Sequence, residues 1–209
     1  MKLKTLLIFF FSIAITVKAQ DRLINPEMYV GFNAGVTVSQ IYFNPTVAQG
    51  YLRGYNGGLV FRYIAEKNVG MQAELNFSQR GWTEANGLYT RQLNYIELPF
   101  MTHIYMGKRN RFFINIGPKI SYLLSENVLL NNTAGSTDEQ HVTIVQHPFD
   151  YGLCGGIGIL FGIGKNQIQL DTRFNFGLSD IYNNRKIDYF INSNSLNLSV
   201  NLAWLFKIK

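Results

Sequence analysis

The 209-residue chain carries 19 Lys and Arg against 13 Asp and Glu, one cysteine, and many aromatic residues: 16 Phe, 12 Tyr and 2 Trp. A single cysteine excludes an internal disulfide and any Cys-based zinc spacing. Lys2, Lys4 and Lys18 supply three of the excess cations, so the formal charge falls from +6 to +3 once residues 1–19 are set aside, and the basic pI is no argument for nucleic-acid binding.

The first segment has a basic start at Lys2 and Lys4, an apolar run Leu6–Thr16, and Val17-Lys18-Ala19. That order reads as a secretory signal peptide, cleaved after residue 19, with Gln20 as the new terminus. The run is too short for a membrane helix, which needs about 20 apolar residues. Residues 20–209 then make one domain. No later stretch suits a spanning helix. Tyr151–Ile163 is the best candidate, and it is short and rich in glycine. A closed barrel is therefore the spanning option left.

From residue 30 onward the pattern alternates with period 2. In the first segment Val30, Phe32, Ala34, Val36 and Val38 oppose Gly31, Asn33, Gly35, Thr37 and Ser39. The second sets Tyr55, Leu59, Phe61 and Tyr63 against Asn56, Gly58 and Arg62. The third sets Val69, Met71, Leu75 and Phe77 against Gln72, Glu74, Asn76 and Arg80. The fourth sets Ile96, Leu98, Phe100 and Ile104 against Tyr95, Glu97 and His103, and the fifth sets Phe112, Ile114, Ile116 and Ile120 against Asn115, Lys119 and Ser121. Tyr151, Leu153, Ile157 and Phe161 oppose Asp150 and Gly152 in the sixth, and Ile168, Leu170 and Phe174 oppose Gln169, Asp171 and Arg173 in the seventh. The eighth sets Leu196, Leu198, Val200, Leu202, Trp204 and Phe206 against Asn197, Ser199, Asn201 and Ala203.

Each segment is about ten residues, the length of a tilted transmembrane strand. Connections 65–68, 107–110 and 162–166 are short. Those at roughly 40–53, 81–91, 125–147 and 179–192 are long. This predicts an all-β, eight-stranded antiparallel up-and-down transmembrane β-barrel, with the long loops outside the cell. Aromatic residues at segment ends, from Tyr29, Tyr55 and Tyr105 to Trp204 and Phe206, read as interface girdles. Pro99 and Pro118 fall inside segments four and five, and neither can donate to a ladder, so a bulge or ladder break is expected there. A soluble lipocalin-like carrier is the alternative with the faces exchanged. The Lys-poor polar set, rich in Gly, Ser and Asn, favours the membrane arrangement.

The polar set places Arg62, Arg80, Lys119 and Arg173 with Glu74, Glu97, Asp150, Asp171 and His103 on the lumen side. An eight-stranded barrel is just wide enough for side chains to fill its interior. The four cations and four anions are expected to pair with one another, since unpaired buried charge is costly. A narrow pore gated at His103, the side chain most easily switched near neutral pH, is the second reading.

No enzyme is expected, since neither G-x-S-x-G nor H-E-x-x-H occurs. His141 and His147, with Ser136, Asp138 and Glu139, read as a solvated loop. Two histidines do not make a metal site. The glycines of LCGGIGILFGIG precede no helix, so no dinucleotide cofactor is expected. The long loops, on a rigid scaffold, are the places to look for a protein partner. The stretch Val142–Val145 is β-prone and suits an extension of the barrel or a contact. Outer-membrane lipid and the barrel-assembly machinery complete the expected partners.

The segments QAELNFSQRGW (72–82), LNYIELPFM (93–101), FFINIGPKISYLL (112–124), FDYGLCGGIGI (149–159) and DTRFNFGLSDI (171–181) resemble the PorT-like family of outer-membrane β-barrel proteins from Bacteroidetes. Tyr95–Pro99 and Ile116-Gly117-Pro118 are the most specific pieces. The resemblance implies an eight-stranded barrel in the outer membrane, treats both prolines as family features, and carries a loose link to protein secretion with no catalytic residues. The carboxyl end departs from the common pattern, since Lys207-Ile208-Lys209 follow the aromatic Phe206.

Overall fold

A computed structural model describes residues 22–135, 137–185 and 189–209, with side chains from Pro26 onward in the first strand. The expected signal peptide (1–19) and Ser136 lie outside the described residues. Among them are eight long strands: β1 (Arg22–Asn44), β2 (Leu52–Glu66), β3 (Val69–Glu84), β4 (Tyr89–Gly107), β5 (Asn110–Asn131), β6 (Phe149–Ile163), β7 (Asn166–Asp180) and β8 (Asn192–Lys207). Each pairs antiparallel with the next. β1 also pairs with β8, from Tyr29↔Lys207 to Asn44↔Asn192. The sheet therefore closes on itself and leaves no edge through the membrane zone, as lipid requires of any spanning sheet. Among the described residues no helix is long and apolar enough to cross a membrane.

The two faces follow from the alternation. Phe32, Val36, Leu59, Ile114, Ile157, Leu202 and their equivalents lie exposed on the outside. Asn33, Thr37, Gln72, Asn115, Gln169 and Asn201 are buried on the inside. A soluble carrier would show the reverse. Tyr29 and Tyr105 depart from the expected girdle. Both point inward and are buried, because they share parity with Gly31 and His103 rather than with their apolar neighbours. Tyr55, Phe77, Phe112, Tyr122, Tyr151, Trp204 and Phe206 do face outward.

The loops are shorter than the sequence suggests. Residues 40–44, 81–84, 89–91 and 125–131 belong to strands. β1 and β8 continue as a ribbon beyond the last β1–β2 pair, Ser39↔Leu52, with β7 rejoining β8 at Asp180↔Asn194 after a register shift. β3, β4 and β5 continue beyond the last β5–β6 pair, Tyr122↔Phe149, as a three-stranded apron ending at Tyr89↔Asn131. The two-residue strand Gln49–Gly50 pairs onto β3 at Thr83 and Glu84. Val142–Val145 is not a strand: Glu139–Val142 forms a single helical turn, α1, and the chain then runs extended without a ladder.

Pro99 and Pro118 lie near each other across the β4–β5 hairpin, and the expected disturbance is a ladder break rather than a bulge. Pairing of β4 with β5 stops after Pro99↔Lys119 and resumes at Thr102↔Ile116 in unchanged register. Pairing of β3 with β4 skips from Ala73↔Phe100 to Asn76↔Glu97 in the same way. The register shifts of this hairpin lie higher, at Thr90/Arg91 and Asn94/Tyr95.

Closure also limits side chains at the seam. A Cβ on Gly31 would lie 1.9 Å from the backbone oxygen of Trp204. Gly31→Ala is expected to destabilise the barrel by about 1–3 kcal/mol through overpacking. Gly50→Ala, where the nearest atom is Thr83 O at 4.0 Å, is expected to be neutral. Urea titration of the heat-modifiable band in detergent reads the difference.

Candidate functional site

Most of the buried charge among the described residues lies in the lumen, which is built in storeys. At the middle, Glu74 on β3 takes Arg173 on β7 at 2.7 and 3.0 Å. β3 and β7 lie four strands apart in a ring of eight, so this pair spans the full diameter. Arg173 also reaches Asp171 at 3.3 Å. Gln72, Asn33 and Asn76 donate to Glu74 at 2.5, 3.1 and 2.7 Å. Gln169 and Asn201 donate to Asp171 at 2.6 and 3.0 Å. Each carboxylate thus accepts several bonds, the condition under which a buried ion pair holds.

One storey toward the long loops, Arg80 lies 2.9 Å from Asp150 and 3.1 Å from Glu97. The Glu97 contact is an ion pair without hydrogen-bond alignment, since Arg80 Nε finds no acceptor in line. Lys119 approaches Glu97 at 3.4 Å, and the Arg80 guanidinium sits over the Tyr95 ring at 3.8 Å. Ser179 donates to Asp150 at 2.5 Å.

Toward the short turns, Arg62 is fully buried and, among the described residues, has no carboxylate within ion-pair reach. This departs from the expected four-on-four pairing. Its guanidinium donates instead to Gln72 at 2.9 and 2.5 Å, to Gln167 at 3.2 Å, and to Gln169. Amide oxygens take the place of a partner charge because Glu74 and Asp171 are already committed to Arg173. His103, also fully buried, places Nδ1 2.7 Å from Asn115 Oδ1 and packs against Tyr105 and Phe113. It belongs to an apolar layer with Val60, Ile64, Leu160 and Leu205, with no carboxylate to receive an imidazolium among the described residues. All nine predicted lumen residues therefore face inward. Eight fall into the two ionic storeys and the Arg62 site, and His103 stands apart.

Both mouths are crossed by residues outside that set. At the turn end Arg111 on β5 reaches across to Glu27 on β1 at 2.9 and 3.2 Å, again a full diameter. Lys207 joins Glu27 at 3.8 Å, and Tyr29 donates to it at 3.1 Å. At the loop end the two ribbons clamp an apolar core: Phe43 from β1 meets Trp82 edge-on at 5.3 Å and Phe190 at 4.8 Å, with Tyr89, Leu93 and Tyr182 beside them.

Arg91 organises this lid. It pairs with Glu126 at 2.8 Å and donates to Tyr89 Oη at 2.6 Å, Tyr182 Oη at 3.0 Å, and the carbonyls of Thr143 and His141 at 2.6 and 2.9 Å. Burial pushes the Tyr182 phenol above its ordinary range. His141 is not the solvated residue expected: it stacks on Tyr89 at 4.0 Å with Nε2 2.6 Å from Glu84. Among the described residues no group of three His, Cys, Asp or Glu could hold a metal ion.

The family model described as "Outer membrane protein beta-barrel domain" matches residues 19–183. The chain belongs to this outer-membrane β-barrel family. No curated protein matches the sequence. Among solved structures the barrel is similar to Ail, the attachment invasion locus protein of Yersinia pestis (12% identity, 86% of this chain, 99% of that one, TM-score 0.45). It is similar to Neisserial surface protein A (13%, 86% and 97%, 0.48) and to OprG of Pseudomonas aeruginosa (11%, 87% and 95%, 0.46).

Sequence reasoning missed Arg91, Glu84, Glu126, Glu27 and Arg111. The signal for the lid was present: inward parity runs on past Ser39 to Ile41 and Phe43 while the residue type changes from polar to apolar.

Two outcomes follow. Glu74→Ala or Arg173→Ala alone should destabilise the barrel by about 3–5 kcal/mol, each leaving a buried charge unpaired. The double variant should cost less than the sum, as read by a double-mutant cycle in urea. Arg91→Lys keeps the charge and loses the fork. Cleavage by a Glu-specific protease at Glu139 should then rise at least about tenfold, from roughly 1.5 kcal/mol of lost charged hydrogen bonding.

Proposed function

We propose that this family member is a closed, non-enzymatic outer-membrane anchor that presents its loop end to a protein partner. The observation carrying this reading is the pair of diametric ion bridges, Glu74–Arg173 and Arg111–Glu27, stacked along one lumen. The Arg91 lid above them adds a third closure. A conduit would need a continuous wet path, and this interior is crossed by charges that neutralise one another.

The display surface is the apron. Past Tyr122, β5 is laddered to β4 alone; Leu123 N still donates to Pro148 O at 2.8 Å, and the eight residues from Leu124 to Asn131 make roughly 26 Å of strand with no ladder on the other side. Val128, Leu129 and Leu130 are exposed along it. An open strand edge is a template for strand addition by an extended segment of a partner. Within this proposal the chain is exported by a signal peptide cleaved after residue 19 and inserted by the assembly machinery. It serves a PorT-like role in a Bacteroidetes outer membrane, linked to protein secretion. The motifs Tyr95–Pro99 and Ile116–Pro118 support that assignment.

Planar-bilayer recording tests the closed state against the pore reading. The intact protein should insert without discrete conductance steps, and Glu74→Ala combined with Arg173→Ala should raise the leak. Regular steps from the intact protein would replace the anchor reading with a narrow channel.

A further inference from the structure

The ends of the barrel carry opposite charge. At the turn end, Lys67, Lys108, Arg109, Arg111, Lys165, Lys207 and Lys209 face only Glu27 and Glu66 among residues with described side chains. At the loop end the described residues set Arg53, Arg91 and Arg185 against Glu84, Glu126, Asp138, Glu139 and Asp180.

The turn-end cations converge. The β4–β5 turn, with Lys108 and Arg109, touches the β6–β7 turn, with Lys165: Gly162 N donates to Arg109 O at 3.1 Å and Arg109 Nε donates to Gly162 O at 3.2 Å. Around these turns Arg111 and Lys207 share Glu27, which lines the same hollow as Lys108, Arg109 and Lys165, and these last three form no ion pair among the described residues. Immediately above, on the lipid-facing side of β4 to β7, lies an apolar groove of about 760 Å³ lined by Ile104, Met106, Phe112, Ile114, Ile157 and Leu170. Met106 stands two residues from Lys108, so that lysine sits within about 7 Å along the strand of side chains that face acyl chains.

We propose that this groove and the two turns below it form a binding site for one anionic glycerophospholipid of the leaflet at the turn end. An acyl chain lies along Met106, Phe112, Ile114 and Ile157, and the headgroup phosphate is held by Lys108 and Lys165, with Arg109 between them. The unpaired cations select charge and the groove selects a lipid over a free anion. Lys and Arg near an anionic surface favour it by an amount that makes about a fivefold preference a conservative expectation for two lysines.

The test is native mass spectrometry of the intact protein in micelles titrated with phosphatidylglycerol or phosphatidylcholine. One phosphatidylglycerol should be retained per barrel at about fivefold lower concentration than phosphatidylcholine. Lys108→Gln with Lys165→Gln should abolish the preference while heat-modifiability is kept, and Lys209→Gln, outside the groove, should leave it intact. Ile157→Trp, which fills the groove without changing charge, should lower retention of both lipids. Equal retention of the two lipids by the intact protein, or a preference that survives the double lysine variant, would overturn the proposal. Displacement by inorganic phosphate at constant ionic strength would also overturn it, showing a soluble-phosphate site instead.

Discussion

Everything in this molecule depends on the pairing of backbone N–H and C=O groups where no water can reach them. A sheet can satisfy that demand in lipid only by meeting itself, and here it does so through the sixteen-residue ladder of β1 with β8, Tyr29↔Lys207 to Asn44↔Asn192. With eight strands the ring is narrow. Its inward residues therefore touch across the lumen, and whatever charge they bring must be answered inside. The glycines at close approaches and the ladder breaks around Pro99 and Pro118 are local accommodations to the same closure.

The interior answers its charge in order along the axis. Glu74 and Asp171 are filled by Arg173 and by amide donors, so Arg62 must turn to the oxygens of Gln72, Gln167 and Gln169. Arg80 and Lys119 divide Glu97 and Asp150 between them. Apolar layers lie above and below, one around Tyr105 and Phe113 and the other around Phe43 and Trp82. They separate the ionic storeys from both mouths and keep water from competing for the pairs. Rigidity of this kind suits a scaffold, and the open strand edge of the apron gives that scaffold something to present.

The period-2 pattern made the fold readable, since a strand covered on one side by lipid and on the other by a crowded lumen must alternate. The nine lumen residues followed from parity alone. Parity did not reveal where strands end. Ile41, Phe43, Trp82 and Tyr89 looked like loop because the polarity of the inward face changes once the strands leave the membrane, while the ladder itself continues. Tyr29 and Tyr105 were misplaced for the opposite reason: aromatic type suggested the girdle, and register put them inside. The pairs Arg111–Glu27 and Arg91–Glu126 bring together residues 84 and 35 positions apart (111 − 27 and 126 − 91), and no local signal joins them.

Cys154 offers the most direct measurement of the proposed closure of the lumen. It is the single cysteine of the chain, it faces inward on β6 beside the Glu74–Arg173 level, and its thiol donates to Gly117 O at 3.3 Å. A small charged thiol reagent added to the folded barrel should leave Cys154 unmodified over the time in which the urea-unfolded chain reacts completely, and opening the lumen with Glu74→Ala and Arg173→Ala should expose it. Rapid modification of the folded, unaltered protein would mean that water and ions already traverse the interior, and the account of a barrel sealed by its own charges would fail.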